Sequence, residues 1–141
     1  MKIDKIYLDL TFNSKDEVFH FLSEQMEEIG IVNQAKDYYD ALLKREAEST
    51  TGLVDGFAIP HGKSTNIKDA AIMYVRNKNG IDWNSLDGSL VTDIFALAIP
   101  ENGAANHLDT LIAISTKLMD QDVCSQLRKA ENEEQVKSIF A

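Results

Sequence analysis

"VTDIFALAIP", residues 91–100, is the stretch on which the fold turns. From Ile94 to Ile99 it is unbroken apolar sequence ended by Pro100, and it reads as a buried strand. "GFAIPHGKS", residues 56–64, closes in the same way: Phe57, Ala58 and Ile59 read as a strand, Pro60 stops its ladder, and His61 sits between that proline and Gly62. If the two strands are neighbours pointing the same way, both Ala-Ile-Pro exits open on one edge of a sheet. That edge is where α/β folds commonly place their sites.

Working outward, residues 3–10 read as a first strand or extended lead-in and 69–77 as a further buried strand. Helical grammar lies between them. Ser14 with Glu17 forms a capping box, Val18, Phe21, Leu22, Met26 and Ile29 form a stripe, and Gly30 ends the helix. His20 lies beside that stripe, with no sequence neighbour to partner it. A second helix is expected from about Asn33 to Glu48, with Tyr38, Leu42 and Arg45 at helical spacing and Tyr39 and Leu43 widening the stripe. Asp55-Gly56 between two apolar pieces, 52–54 and 57–59, signals a hairpin. Residues 78–88 hold two glycine-bearing turns. A helix over 106–119, with Leu108, Leu111, Ile112, Ser115 and Leu118 on one face, precedes two short helices near 121–130 and 132–140. Helices interleaved with strands define a single α/β domain over 1–141, a mixed central β-sheet flanked by helices.

Composition narrows the function. The 141 residues are 44% hydrophobic and 26% charged, as in an ordinary globular domain able to bury a core. Fourteen basic against 23 acidic residues give a formal charge of −9, which argues against a nucleic-acid partner and leaves room for docking on a basic protein. Cys124 is the single cysteine, so an internal disulfide is excluded and a reducing cytoplasm suits the chain. No apolar run approaches the roughly 18 residues of a membrane helix, and MKIDKIYLDL lacks a signal-peptide pattern.

His61 and His107, with Arg45 arriving from the preceding helix, have the chemistry of a phosphoryl cradle. One ring nitrogen attacks, while the other ring and the guanidinium neutralise the oxygens. Lys63 adds charge nearby, and Asp93 or Asp109 could orient an imidazole. Zinc is the competing reading of two histidines. The chain has no HExxH, no paired cysteines and no short His-x-x-x-His spacing. Cys124 falls inside an expected helix, where a buried inert thiol is the simpler reading, and Ser64 sits in no nucleophile elbow.

"LLKREAESTTGLVDGFAIPHGKS", "GIDWNSLDG" and "FALAIPENGAANHLDTLIAIS" resemble the fructose/mannitol-type (type 2) enzyme IIA of the bacterial sugar phosphotransferase system. The resemblance spans nearly the whole chain, with the Arg-Glu, Ser-Thr-x-Gly and Ala-Ile-Pro-His-Gly elements in family order. It implies that His61 accepts the phosphoryl group, that His107 assists and that Arg45 stabilises the phosphate, with no cofactor and no metal. It also implies a cytoplasmic protein that takes phosphate from the histidine phosphocarrier protein. The phosphate then goes to a cysteine of an enzyme IIB protein or domain, which serves a membrane sugar permease lying in a separate protein or another segment of a longer chain. The alternative is a nitrogen-type regulatory enzyme IIA, in which phosphorylation controls partner binding. A domain of a transcription regulator is a further reading, against which the start and end of the chain are expected to be those of a free-standing protein. Two departures stand out: Val54 replaces a family glycine and Phe57 an aliphatic residue, changes expected to reshape the wall beside the site or partner docking.

Overall fold

The computed structural model describes residues 2–141, with the side chains of 103–107 excepted. Strands β1 (Lys5–Leu10), β2 (Phe57–Ala58), β3 (His61–Ser64), β4 (Ala71–Ile81) and β5 (Val91–Pro100) form one sheet. Helices α1 (Lys15–Glu28), α2 (Ala35–Glu48), α3 (Ala104–Leu118), α4 (Gln121–Lys129) and α5 (Glu133–Ile139) flank it. The order is β1-β4-β5-β2, with β3 also on β5; β4 and β5 are antiparallel and the other pairings parallel. The single-domain, mixed-sheet α/β architecture is the expected one.

Period-two alternation divides the core. Met73 and Val75 of β4, with Ile94, Ala96 and Ala98 of β5, pack with Val18, Leu22, Met26, Tyr38 and Leu42 of α1 and α2. Tyr74, Phe95, Leu97 and Ile99 point the other way, toward Ile114, Leu127, Val136 and Phe140 from α3 to α5. Buried on both faces, β5 is apolar almost throughout, which is why its sequence does not alternate.

Helix α1 starts as its capping residues require: the Glu17 N–H donates to Ser14 Oγ at 3.1 Å. Asp55 (φ 57°) and Gly56 (φ 85°) make the tight turn expected of Asp-Gly, although its first arm is only a single bridge, Gly52 to Ala58. Three expectations shift. Pro60 does not end the ladder: its carbonyl accepts from Leu97 N–H at 3.0 Å and pairing with β5 resumes at His61, because an edge strand can spare the missing N–H. Gly80 lies inside β4, which continues to Ile81 rather than turning after Asn77; Gly88 does turn, with φ 77°. Among the described residues of α3 the buried one is Ile114, while Leu108 and Ile112, both 57% exposed, turn away from the core.

Candidate phosphoryl-transfer site

The conditional inference about the two strand exits holds, with an offset. Strands β3 and β5 run parallel side by side, but Ser64 rather than Pro60 lies level with Pro100, so His61 opens β3 opposite Leu97. Residues alternate along β3: Gly62 faces α2, while His61 and Lys63 line a hollow at the sheet edge. A Cβ on Gly62 would stand 3.0 Å from Ala41 Cβ and 3.2 Å from Tyr38 Cε1. Glycine therefore lets α2 lie close against the strand, and the Tyr38 hydroxyl pins the helix by donating to the Leu97 carbonyl at 2.7 Å. One turn or two further on, Arg45 reaches over the edge to His61.

The contact is direct. Arg45 Nε–H donates to His61 Nε2 at 3.0 Å, while His61 Nδ1 lies 2.9 Å from the Ile59 carbonyl oxygen. A carbonyl only accepts, so Nδ1 carries the proton and Nε2 the lone pair. Burial lowers the His61 pKa from its ordinary value of 6.5; the Ile59 carbonyl opposes this, and the Arg45 charge adds to it. These contacts favour the neutral ring and give it a defined tautomer. Arg45 is braced in turn by Nη1 donation to the Ser49 carbonyl at 2.9 Å, and Glu48 Oε2 stands 4.0 Å from its Nε.

The hollow has a volume of about 600 Å³, and Lys44, Glu48, Lys63, Ile99 and Leu111 are among its walls. It lies between α2 and α3. His107 belongs to the first turn of α3, and its side chain lies outside the described residues. Structure therefore joins two of the three expected site residues, His61 and Arg45, and adds a backbone partner, the Ile59 carbonyl. Nothing in the sequence pattern pointed to that carbonyl, although its place two residues before the histidine was available as a signal.

The remaining candidates separate from the site. Asp93 is buried elsewhere, accepting hydrogen bonds from the Tyr74 and Thr92 hydroxyls, and Asp109 is exposed; neither bonds to His61. Ser64 Oγ accepts from Asn66 N–H. Cys124 is buried, its thiol raised in pKa chiefly by that burial, with Sγ 3.1 Å from the Leu118 carbonyl oxygen. Val54 is half-exposed on the hairpin and Phe57 is buried in the core beneath Arg128, so neither residue lines the hollow. The expected reshaping of the site wall by these two residues is not seen. Among the described residues no group of three or more His, Cys, Asp or Glu side chains is placed to hold a metal ion, and no helix is long and apolar enough to cross a membrane.

Comparison with known proteins places the chain in a family. The family "Phosphoenolpyruvate-dependent sugar phosphotransferase system, EIIA 2" matches residues 1–141, and the chain belongs to it. The fructose-specific EIIABC component of the Bacillus subtilis phosphotransferase system is 34% identical over 135 residues, 96% of this chain and only 21% of that longer protein. The crystal structure of the nitrogen regulatory protein IIA-Ntr from Neisseria meningitidis superposes with a TM-score of 0.90 at 29% identity, covering 96% of this chain and 92% of that one. The Escherichia coli complex of enzyme IIA for mannitol with phosphorylated enzyme IIB contains the same fold, with TM-score 0.82, 19% identity and coverage of 99% and 96%.

Proposed function

We propose that the protein is a phosphoryl carrier of a sugar phosphotransferase system, accepting phosphate on His61 from the histidine phosphocarrier protein and passing it to a cysteine of enzyme IIB. The observation that carries this reading is the His61 ring itself, with Nδ1–H tied to the Ile59 carbonyl and the Nε2 lone pair facing Arg45 in an open hollow.

The chemistry runs through Nε2. Its lone pair forms a bond to phosphorus as the P–N bond to the donor histidine breaks, and the donor ring leaves with that electron pair. Arg45 Nε–H, now on Nε2, must transfer its hydrogen bond to a phosphoryl oxygen as the new bond forms. The guanidinium thereby neutralises charge where it develops. His107 takes the assisting role that the family resemblance implies, from the helix whose Leu108 and Leu111 line the hollow. Onward transfer repeats the displacement with a thiolate as nucleophile. A phosphohistidine has a labile N–P bond, so both transfers can run near equilibrium.

A transport role is supported by the fructose-specific relative. The regulatory alternative, in which phosphorylation changes partner binding, is supported by the closeness in shape to the nitrogen regulatory protein. Both use the same ring. Incubation with the phosphorylated carrier should deposit an acid-labile, base-stable phosphate on His61, and a protein that stays unlabelled would overturn both. Transfer from there to an enzyme IIB cysteine separates transport from regulation.

A further inference from the structure

The Arg-Glu and Ser-Thr-x-Gly elements contribute more than Arg45. Glu46, next to Arg45 on α2, points into the protein and is only 11% exposed at its side chain. Its two oxygens grip one residue: Thr51 N–H donates to Oε2 at 2.9 Å and the Thr51 hydroxyl to Oε1 at 2.6 Å. The same hydroxyl accepts from the indole Nε1 of Trp83 at 3.0 Å, which fixes its rotor, and Lys15 Nζ lies 3.1 Å from Oε2. The Thr51 carbonyl then accepts Ile59 N–H at 3.0 Å, and the Ile59 carbonyl accepts His61 Nδ1–H at 2.9 Å. His61 Nε2 accepts from Arg45 at 3.0 Å, and Arg45 is bonded covalently to Glu46. The path closes on itself.

We infer that Glu46 is a positioning residue for phosphoryl transfer, acting through Thr51 and Ile59 to set the tautomer of His61 and its register against Arg45. A carboxylate this close to a phosphate site is electrostatically unfavourable unless it does something else. Here it holds the nucleophile and the guanidinium to one anchor, so that neither moves without the other. A displacement of about 1 Å at reacting groups costs up to about 100-fold in rate, which is the scale such an anchor protects. The inference rests on His61 being the acceptor.

The test uses the full chain, with ¹⁵N-labelled histidine for NMR and single-turnover transfer from the phosphorylated carrier. Wild type should show His61 in the Nδ1–H form. Glu46→Ala and Thr51→Val should admit the Nε2–H form and lower the saturating transfer rate about 10- to 100-fold, with the half-saturating carrier concentration kept within about twofold. Thr51→Ser, which keeps the hydroxyl, should restore both. Val136→Ala, a core truncation on the opposite face of the sheet, controls for lost stability and should leave tautomer and rate alone. Glu46→Ala or Thr51→Val with the wild-type tautomer and saturating rate would overturn the inference, as would the same tautomer change in Val136→Ala. Should Glu46→Ala fail to fold, the Thr51 pair decides. Failure of wild type to take phosphate on His61 would instead strike the functional reading, while the tautomer measurement, independent of transfer, still judges the positioning.

Discussion

Two histidines flank helix α2, and their surroundings differ sharply. His20 projects from α1, stacks on Tyr39 with ring centroids 4.2 Å apart, and sets its Nε2 3.3 Å from Asp16. Its side chain is 57% exposed. His61, at the other end of α2, is largely withdrawn from water, with a carbonyl on Nδ1 and a guanidinium on Nε2. The difference lies in what faces each ring. An anionic neighbour such as Asp16 repels a phosphoryl group, whereas Arg45 attracts one. The acceptor beside His20 faces its Nε2, whereas the carbonyl beside His61 faces Nδ1 and leaves the Nε2 lone pair toward the guanidinium. A histidine becomes a candidate nucleophile through its neighbours, and here α2 supplies a stacking face near its start and a cation near its end.

The sharpest way to break this contrast is to remove each ring. His61→Ala should abolish phosphoryl acceptance from the carrier while leaving circular dichroism and thermal unfolding close to wild type, because the ring contributes little to either core. Normal phosphate uptake by mass spectrometry would end the assignment. Next in size is Arg45→Gln, which keeps a neutral donor and removes the charge. Loss of one such stabilising group commonly costs on the order of 100-fold in rate, read as single-turnover transfer to an intact His61. His107→Gln should also slow transfer without removing the acceptor. Wild-type rates in both variants would leave Arg45 as no more than a helix-end cation.

A smaller effect is expected from acid. In the proposed transfer the attacking form of His61 is neutral, and its pKa is lowered from the ordinary 6.5, through burial first and the Arg45 charge as a further cause. Transfer should therefore persist to lower pH than an ordinary imidazole nucleophile would allow, and fall as the ring takes up a proton. The stability linked to this ring follows the same sign: it is fully present above the unfolded-state value and lost as pH falls through the folded one. In Arg45→Gln the midpoint should move upward. A profile already falling above pH 7 would contradict the geometry. Smallest of all, His20→Ala should leave the transfer rate unchanged and alter stability by only about 0.5 kcal/mol, measured by urea unfolding. Chelator treatment should likewise have no effect, because the lone pair that a metal would need is the one that attacks; activity lost to chelator and restored by zinc would refute the mechanism.

Much of this was legible in one dimension because it is local. A capping box acts within one turn, a stripe of apolar residues marks one helix face, and an Asp-Gly pair makes its own turn. Ser14, the Val18–Leu22–Met26 stripe and Asp55-Gly56 behave as their sequence neighbourhoods dictate. The buried strand 91–100 was equally plain, and so were His61 and Arg45 as candidates, since unusual residue types at an element end stand out against an apolar background. The side chain of His107 has no place in this comparison.

Tertiary packing decided the rest, for the reason that hydrogen bonds and contacts between distant residues are chosen by the whole fold. Pro60 reads locally as a strand breaker, but an edge position lets β3 continue beyond it. The α3 stripe reads as one apolar face, yet the sheet takes Ile114, leaves Leu108 beside the hollow and leaves Ile112 exposed, because helix rotation is set by what the helix meets. His20 reads as unpartnered, yet Asp16 one turn back on its own helix stands 3.3 Å from its Nε2, and packing of α2 adds the Tyr39 ring across from it. Arg45 and His61 are 16 residues apart, and only the close approach allowed by Gly62 turns a helix-end cation and a strand-edge ring into a hydrogen-bonded pair. The amino-acid order by itself determined which groups could do the chemistry. Which nitrogen carries the lone pair, and what faces it, was decided by the folded backbone, because the Ile59 carbonyl and the Arg45 guanidinium acquire directions only when strand and helix are packed together.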